Sequence, residues 1–181
     1  NDIYAQRLDA NGVALWAAGG VPVIAYGGPQ SNPTMVSDGF GGAVIAWLDY
    51  RAGTNDVYAQ RIDANGNRQW AYNGVAVCTS PYNSYYLRLT TDGSGGAILA
   101  WIEDRSTGSS DDTYASRVNA SGTVLWTPNG EVICNALNLQ GAPEILADGS
   151  GGAIILWEDL RPNSHTDVYA QHVNGNGSFL W

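Results

Sequence analysis

The sequence predicts an all-β protein assembled from a tandem repeat, and three observations lead to that prediction. The sixteen residues that open the chain, 1–16, return almost unchanged at 166–181. No window of the sequence shows helical periodicity of useful length. A repeat of about 55 residues made of short strands is typical of a β-propeller blade or a related all-β repeat. The tryptophan that ends each copy recurs at intervals of 54, 56 and 55 residues: Trp16, Trp70, Trp126 and Trp181.

Each repeat holds four strand signals, named A to D here, and a glycine-rich turn joins the first two. The glycines of this Asp-Gly-x-Gly-Gly turn supply the positive φ that a tight hairpin needs. Strand A, with an apolar residue at its centre, is predicted at 33–37, 87–91 and 143–147. The A–B turns are predicted at 38–42, 92–96 and 148–152.

Strands B, C and D differ in their patterns. Strand C alternates, as in 56–62, with the period of two that a strand requires. A turn such as Asp63-Ala-Asn-Gly66 leads to strand D, which carries Trp70 and runs to Val75–Cys78. Strand B is almost continuously apolar between glycine turns, which predicts a strand buried on both faces. Its copies are 43–47, 97–101 and 153–157.

The repeat resembles a known group of sequences. The residues that carry the resemblance are the pattern D-G-x-G-G-A-[VI]-[IL]-x-W, followed by [DE]-x-R, D-[IVT]-Y-A and G-x-x-[LQ]-W. These are the long tandem repeats of secreted bacterial proteins, which are related to the WD40-like propeller repeats of the TolB type. The hairpin D-x-N-G-x-x-x-W is similar to the Asp-box turn of sialidase-type propellers, although it lacks the usual Ser and Thr. The resemblance covers the whole chain and implies a β-propeller-like module that is secreted, extracellular or on the cell surface. It implies binding or scaffolding and brings no catalytic motif.

The strand inventory predicts a propeller-like array of about three four-stranded antiparallel blades, with incomplete blades at both ends. A C–D hairpin of a partial blade is assigned to 1–32, and two blades to 33–86 and 87–142. A partial blade that lacks most of its last strand is assigned to 143–181. Three blades are too few to close the usual propeller ring, which needs four or more. The repeated ends are therefore expected either to belong to a longer array or to overlap with neighbouring subunits.

The charge of the chain excludes several classes of function. The formal net charge is −9, from 17 acidic residues against 8 basic ones, and every basic residue is an arginine. A chain without lysine and without a basic stripe is a poor candidate for binding nucleic acid or an anionic membrane. The absence of lysine also excludes Schiff-base and P-loop lysine chemistry.

Tryptophan, acid and arginine recur at fixed positions of the repeat and are predicted to be structural. All seven tryptophans fall at two repeated positions, whereas a ligand site is made once, so we expect all of them to pack between blades. In the Trp-x-acid-x-Arg motif the acid and the arginine are expected to form an ion pair at the rim of the blade. An arginine cluster that holds a carboxylate, as in sialidases, is the alternative. The structural positions are Trp16, Trp47, Trp70, Trp101, Trp126 and Trp157, and the pairs Asp49/Arg51, Glu103/Arg105 and Asp159/Arg161.

The sequence predicts no catalytic site, no cofactor and no metal site. It has no nucleophile elbow, no Cys–His pair and no histidine cluster with metal-ligand spacing. The turn Asp9-Ala-Asn-Gly12 and its copies offer too few oxygen ligands for calcium and are predicted to be Asx turns. A sialidase would need further carboxylates, and the glutamates form no separate constellation: Glu103, Glu131, Glu144 and Glu158.

The connections that vary between repeats are predicted to lie at one end of the blades, where binding specificity usually resides. The richest of them, 79–86, provides the candidate ligand-binding residues Tyr82, Tyr85 and Tyr86. The variable connections are the D–A loops 25–32, 79–86 and 135–142 and the B–C loops 52–55, 106–111 and 162–166.

These observations lead to an expected function as a non-catalytic extracellular structural or adhesive repeat protein. Its expected partner is itself, head to tail through the terminal strands in a filament or ring, or further repeats of a longer chain. The alternative is a lectin-like carbohydrate-binding propeller module whose variable loops bind glycans. A propeller enzyme of the glycosidase type comes third. Neither nucleic acid nor membrane insertion is expected.

Overall fold

The computed structural model describes residues 2–105, 111–161 and 165–181. Over these ranges the chain consists of strands, turns and loops without a helix, so the all-β prediction is confirmed. It follows that no helix in the described ranges is long and apolar enough to cross a membrane. Most of two predicted B–C loops, 106–110 and 162–164, lies outside the described residues.

The described strands form four antiparallel sheets of two to four strands. The N-terminal hairpin pairs β1 (Ile3–Ala5) with β2 (Val21–Ile24). Sheet 1 has the order β3 (Gln30–Ser37), β4 (Ala43–Asp49), β5 (Asp56–Ile62), β6 (Val75–Cys78). Sheet 2 has the order β7 (Ser84–Thr91), β8 (Ala97–Glu103), β9 (Asp112–Val118), β10 (Glu131–Cys134). Sheet 3 has the order β11 (Glu144–Ala147), β12 (Ala153–Asp159), β13 (Asp167–Val173).

The A–B turns show why the repeat requires Asp and Gly at fixed positions. In sheet 1 the Asp38 carboxylate accepts hydrogen bonds from the backbone N–H groups of Phe40 and Gly42, both at 2.8 Å. A Cβ atom on Gly42 would lie 2.1 Å from the Ile62 carbonyl oxygen, so no other residue fits there. The side chain of Asp closes the turn and the missing side chain of Gly allows the strands to meet.

Strand A is longer in sheets 1 and 2 than the sequence predicts, and it carries an irregularity. The strands begin at Gln30 and Ser84, and the pairing register shifts between Ser31 and Thr34 and between Tyr85 and Arg88. Tyr86, at a φ of 52°, lies within the second shift. An extra residue of this kind breaks the strand's alternation, which a sequence pattern based on strict period two does not detect.

The core lies between successive sheets. Trp47 packs with Ile24 of the hairpin, and Trp101 of sheet 2 packs in a cluster with Leu48 of sheet 1. Trp157 of sheet 3 packs in a cluster with Ile98 of sheet 2. Each apolar side chain buried in this way contributes about 1.5–3 kcal/mol. The repeat is therefore stabilised by its neighbours, as expected for a stacked array.

Successive sheets are also joined by a repeated pair of donors, which we call the carbonyl clamp. The Trp70 indole Nε1 donates a hydrogen bond to the Ala120 carbonyl oxygen at 2.9 Å, and Arg61 Nη1 donates to the same oxygen at 3.4 Å. Each clamp therefore fixes a C–D turn of the next repeat through its main chain. The equivalent clamps are Trp16 and Arg7 on Ala64, and Trp126 and Arg117 on Gly175.

The fourth copy of the clamp tryptophan behaves differently. The Trp181 ring lies edge-on against His172, with 5.4 Å between the ring centroids, and 65% of the residue is exposed. His172 occupies the position of the clamp arginines and lies 3.0 Å from Asp148. Trp181 therefore differs from the three clamp tryptophans, which donate hydrogen bonds to the turn of a following repeat.

Candidate functional site

The sheets have two chemically different ends. The A–B and C–D turns, which are constant between repeats, lie at one end, called the turn end here. The B–C and D–A connections, which vary, lie at the other, called the loop end. This assignment follows from antiparallel pairing, because each strand reverses direction relative to its neighbour.

At the loop end of sheet 1, Trp47, Asp49, Arg51 and Tyr58 form a hydrogen-bonded cluster. Trp47 Nε1 donates to Asp49 Oδ2 at 2.9 Å, and Arg51 donates to both carboxylate oxygens at 2.8 and 2.6 Å. The guanidinium carbon of Arg51 lies 3.9 Å from the centroid of the Tyr58 ring, which is stacked on Trp47. Asp49 is completely buried, and its charge is matched by a bidentate partner.

The same cluster recurs in sheets 2 and 3. Arg105 donates to Glu103 at 2.7 Å, and Arg161 donates to Asp159 at 2.6 Å. The acids accept from the tryptophan indoles at 3.2 and 3.0 Å, and each arginine lies 3.8 Å from a tyrosine ring centroid. The residues that complete these clusters are Trp101 with Tyr114, and Trp157 with Tyr169.

The acid and the arginine of each cluster neutralise each other in an ion pair. Burial disfavours the charged form of Asp49, but hydrogen bonds from Arg51 and Trp47 outweigh it and lower the pKa of the carboxyl group. Burial likewise opposes ionisation of Asp159, and its hydrogen bonds from Arg161 and Trp157 lower the pKa to about 2. Because each arginine already faces a buried carboxylate, the three arginines do not converge on an open site for a ligand carboxylate.

The two cysteines lie beside these clusters and are free and buried. Cys78 Sγ is 3.6 Å from Glu103 Oε2 and 3.4 Å from Arg105 Nη2. Burial first, and the charge of Glu103 second, raise the pKa of the Cys78 thiol to about 11. Cys78 is therefore a neutral thiol at neutral pH and a poor nucleophile.

A cleft of about 360 Å³ opens at the loop end between sheets 2 and 3. Sheet 2 contributes Tyr86 and Asp111 to its wall. Sheet 3 and its preceding loop contribute Gln140 and Glu158, together with small and apolar residues. The remaining lining residues are Leu139, Gly141, Ala142, Leu160 and Thr166. The arrangement combines one aromatic ring with two carboxyl groups in a concave site, as ligand sites commonly do.

The cleft is open because strand A of sheet 3 starts late. Its first residue is Glu144, and before it only an isolated bridge pairs Gln140 with Asp159. Gly141 occupies the position of Tyr85 in the preceding repeat. The missing side chain at this position leaves space between the two sheets.

Backbone hydrogen bonds hold the walls of the cleft together. Gln140 N donates to the Asp111 carbonyl oxygen at 3.0 Å, and Gly141 N donates to the Glu158 carbonyl oxygen at 2.7 Å. The Gln140 side-chain amide donates to Ala136 and Asn138 carbonyls. Its Oε1 atom is buried and has no partner among the described residues. The walls are thus fixed by the main chain, while an acceptor remains unused beside the cleft.

The two cleft carboxyl groups have different surroundings. Glu158 is exposed to solvent, whereas Asp111 is partly buried. Burial first, and the charge of Asp104 second, raise the pKa of Asp111. Asp111 therefore keeps its proton to a higher pH than an ordinary aspartate, and a protonated carboxyl group can donate a hydrogen bond.

The three tyrosines predicted to bind ligand do not all lie in the cleft. Tyr86 lines it, whereas Tyr82 and Tyr85 are exposed at the same end of the molecule but are not part of its wall. The sequence reasoning missed Asp111 and Glu158. A signal for Glu158 was present, because the other repeats have the apolar residues Leu48 and Ile102 at this position.

Within the described ranges, no group of three or more His, Cys, Asp or Glu side chains is arranged to hold a metal ion. The C–D turns show where their oxygen atoms are used. Asp9 Oδ1 accepts from the N–H groups of Asn11 and Val13 at 2.8 and 2.9 Å, which is the geometry of an Asx turn.

Comparisons with known proteins place the fold next to a carbohydrate-active enzyme. No protein-family model matches the chain, and no curated protein matches its sequence. Among solved structures, the chain is similar to the endo-arabinase from Bacteroides thetaiotaomicron VPI-5482, with a TM-score of 0.51 and 14% identity over 83% of this chain. The chain covers 58% of the length of that protein. At this level of identity the similarity concerns the fold alone.

The comparison corrects the function expected from the sequence. A non-catalytic structural or adhesive protein that self-associates through its terminal strands is contradicted, because the fold matches that of a glycosidase and nothing supports self-association. The repeated ends also have places within the chain itself. Strand β1 pairs with β2 in a hairpin packed against sheet 1, and β13 is the third strand of sheet 3. The similarity of the two ends therefore follows from the repeat.

Proposed function

We propose that the chain is a carbohydrate-binding module of the β-propeller type and that the cleft between sheets 2 and 3 receives a neutral saccharide. The observation that carries this proposal is the wall of the cleft, where the exposed ring of Tyr86 lies with the carboxyl groups of Asp111 and Glu158. Sugar rings offer apolar C–H faces and many hydroxyl groups. An aromatic face beside carboxyl groups that form hydrogen bonds with hydroxyl groups matches both features.

The propeller arrangement is part of the proposal. Strand A of each sheet contacts strand A of the next, as β3 does with β7 and β7 with β11. Such contacts are expected when strand A is nearest a common axis and the sheets radiate from it as blades. The resemblance to tandem propeller repeats of secreted bacterial proteins supports the same arrangement, and a secreted or cell-surface location remains a prediction.

Charge favours a neutral saccharide over an anionic one. The chain has a net charge of −9, and the cleft wall contains two acidic residues and no arginine. The arginine nearest in sequence to Glu158 is Arg161, which is paired with the buried Asp159. A uronic acid or sulfated sugar would meet like charge in the cleft without a compensating cation, which costs binding energy.

Hydrolysis of the bound saccharide is a second candidate, favoured by one observation. The cleft wall brings together two carboxyl groups in different surroundings, Asp111 partly buried and Glu158 exposed, and glycoside hydrolysis uses a pair of carboxyl groups. The similarity to an endo-arabinase is consistent with this candidate. The sequence instead predicts that the protein is not an enzyme. An assay for hydrolysis distinguishes these two predictions.

The proposal is tested by affinity electrophoresis in gels that contain soluble neutral polysaccharides: arabinan, xylan, galactan, galactomannan and mixed-linkage β-glucan. At least one of them should retard the protein, and polygalacturonate should not. Tyr86→Ala and Ala142→Tyr, which remove the ring and fill the cleft, should abolish the retardation. The matched control is Tyr72→Ala, which removes an exposed tyrosine away from the cleft and should leave the retardation unchanged.

Retardation by none of the neutral polymers, or equal retardation of the Ala142→Tyr variant, would show that the proposed site is wrong. A reducing-end assay on the retarding polymer addresses hydrolysis separately. Cleavage that is lost in Asp111→Asn and in Glu158→Gln would establish the enzyme. Binding without cleavage would leave a binding module.

A further inference from the structure

Exposed tyrosines are concentrated at the loop end, beyond the single ring that lines the cleft. Five of the ten tyrosines lie there, each between 42% and 55% exposed, and the turns of the opposite end contain none. Large exposed aromatic side chains gathered on one surface of a protein mark a binding surface more often than chance. They are Tyr26 and Tyr50 in sheet 1 and its loops, and Tyr82, Tyr85 and Tyr86 at the start of sheet 2.

Two of these rings are exposed because of a backbone irregularity. In a regular strand, neighbouring side chains point to opposite faces, so Tyr85 and Tyr86 should not both be exposed. The register shift between Tyr85 and Arg88 and the positive φ of Tyr86 interrupt the alternation. The same shift occurs in sheet 1, where Asn32 has a φ of 51°, so the irregularity belongs to the repeat, and in sheet 2 it places two tyrosine rings at the surface.

The Tyr26 ring of sheet 1 has a cation–π contact, and the loop that carries Tyr50 is tied at its main chain. The Arg51 guanidinium lies 4.7 Å from the centroid of the Tyr26 ring, and Arg51 is itself fixed by the buried Asp49. Tyr50 N donates to the Pro29 carbonyl oxygen at 3.0 Å, which ties the B–C loop to the D–A loop. Rigid aromatic rings lose little entropy on binding, so they are effective contact residues.

The loops of neighbouring repeats contact each other directly at this end. Asn55 N donates to Asn83 Oδ1 at 2.8 Å, and Ser84 N donates to the Asn55 carbonyl oxygen at 2.9 Å. Gln140 N donates to the Asp111 carbonyl oxygen across the next boundary. Among the described residues, hydrogen bonds therefore join the loops of sheets 1 and 2 and those of sheets 2 and 3.

From these observations, and resting on the proposed function, we infer that the loop end binds an extended chain of several sugar units. One end of the chain occupies the cleft at Tyr86, and the remainder crosses Tyr82 and Tyr85 towards Tyr26 and Tyr50. A monosaccharide or disaccharide fills only the cleft. The tyrosines of sheet 1 then contribute affinity only when the saccharide is long enough to reach them, because each stacked ring adds its own contact.

The inference is tested by titration calorimetry with oligomers of two to eight units prepared from the polysaccharide that retards the protein. Affinity should rise about tenfold between the dimer and the hexamer, which corresponds to one or two added ring contacts. The double variant Tyr26→Ala/Tyr50→Ala should bind the dimer like the wild type and lose most of the gain for the hexamer. Tyr26→Phe/Tyr50→Phe keeps the rings and should retain the gain. Tyr72→Ala is the control for loss of an exposed tyrosine.

The outcomes separate this inference from the proposed function. If the dimer binds and the hexamer binds no more tightly, or if the double alanine variant keeps the full gain, the extended surface is wrong while the cleft remains. If the dimer fails to bind but the hexamer does, the cleft is wrong as the anchoring site. Thermal unfolding of each variant is measured in parallel, and an unchanged midpoint in Tyr26→Ala/Tyr50→Ala assigns its loss of affinity to the missing rings.

Discussion

The boundary between sheets 1 and 2 and the boundary between sheets 2 and 3 have the same backbone arrangement. They differ in the side chains that occupy their two ends. At the turn end of the first boundary, between sheets 1 and 2, Phe40 lies under Arg61 and against Gly95. At the second boundary, between sheets 2 and 3, Ser94 replaces that phenylalanine and a polar opening of about 420 Å³ remains beside Arg117.

The loop end shows the same contrast. At the first boundary, Asn83 Oδ1 accepts a hydrogen bond from Asn55 N, and Tyr85 follows two residues later. At the second boundary the equivalent positions are Leu139 and Gly141, and the candidate cleft opens there. The repeat therefore provides the same backbone framework at each boundary. The candidate cleft arises at the boundary where the side chains differ from those of the other repeats. The following predictions test that comparison, from the largest expected effect to the smallest.

Both boundaries should depend on their buried tryptophan to a similar extent. Trp101 is completely buried in the core at the first boundary and Trp157 is almost so at the second. Replacement of either by Ala should lower the free energy of unfolding by about 3–5 kcal/mol, measured by denaturant titration. The control Trp181→Ala removes a ring that is 65% exposed and should cost less than about 1 kcal/mol. A small effect at Trp157 alone would mean that the second boundary is held by other contacts.

The ion-pair cluster of sheet 3 should make stability depend on pH. The pKa of Asp159 is lowered from 3.8 to about 2 in the folded state, despite its burial, by hydrogen bonds from Arg161 and Trp157. Its contribution is therefore fully present above about pH 4 and is lost as the pH falls through 2; the shift corresponds to about 2 kcal/mol. Asp159→Asn should flatten the acid limb of the stability profile. An unchanged limb would show that other carboxylates control acid unfolding.

Sheet 2 should become more stable when its acid and its facing polar residue are changed together. Sheets 1 and 3 pair Gln30 with Asp49 and Gln140 with Asp159, whereas sheet 2 pairs Ser84 with Glu103. Ser84 Oγ and Glu103 Oε1 are both buried without a partner among the described residues. In sheets 1 and 3 only the glutamine Oε1 of each pair is buried without a partner among the described residues, so the combined replacement Ser84→Gln/Glu103→Asp should exchange two unsatisfied atoms for one. We expect it to raise the free energy of unfolding by about 1 kcal/mol.

The single variants test whether these two positions are coupled. Ser84→Gln alone overfills the space beside Glu103, and Glu103→Asp alone shortens the acid that Arg105 contacts. Each single variant should be destabilising. The double-mutant cycle should therefore show a coupling free energy of about 1 kcal/mol or more. Additive effects would indicate that the different lengths of Ser and Glu do not compensate for each other.

The smallest effect is expected from exchanging the residues at the turn end. Ser94→Phe should place a ring near Arg117, as Phe40 lies 5.5 Å from the guanidinium of Arg61, and stabilise the protein by about 0.5–1 kcal/mol. Phe40→Ser should destabilise it by a similar amount. Thermal unfolding of both variants measures the difference. If Ser94→Phe is destabilising, the second boundary has a narrower geometry than the first.

The features that could be predicted from the sequence are those that repeat. The A–B turns follow from Asp38 and Gly42, because one carboxylate and one missing side chain determine their geometry, and strand B follows from its apolar run. The cleft could not be predicted in this way. It depends on the late start of strand A at Glu144 and on a side chain that is absent at Gly141. Neither the hydrophobic pattern of a sequence nor its strand propensity predicts the distance between two sheets.

Of the candidate site residues, some could also be predicted from the sequence and others could not. Tyr86 was found because its loop is rich in exposed tyrosines, while Asp111 and Glu158 belong to segments that look like ordinary loop and strand. Glu158 was detectable as a polar residue at a position that is apolar in the other repeats. The contacts between neighbouring loops required the structure, since they depend on hydrogen bonds such as Asn55 N to Asn83 Oδ1.

The carbonyl clamp has an evolutionary consequence. Trp70 and Arg61 bind a main-chain oxygen of the next repeat, so the contact is indifferent to the side chain at that turn position, which is Ala in two copies and Gly in the third. A duplicated repeat therefore meets its new neighbour without any compensating substitution in the turn. Gene duplication can lengthen such an array in one step, and selection is then free to alter the loops of a single copy while the junctions stay intact.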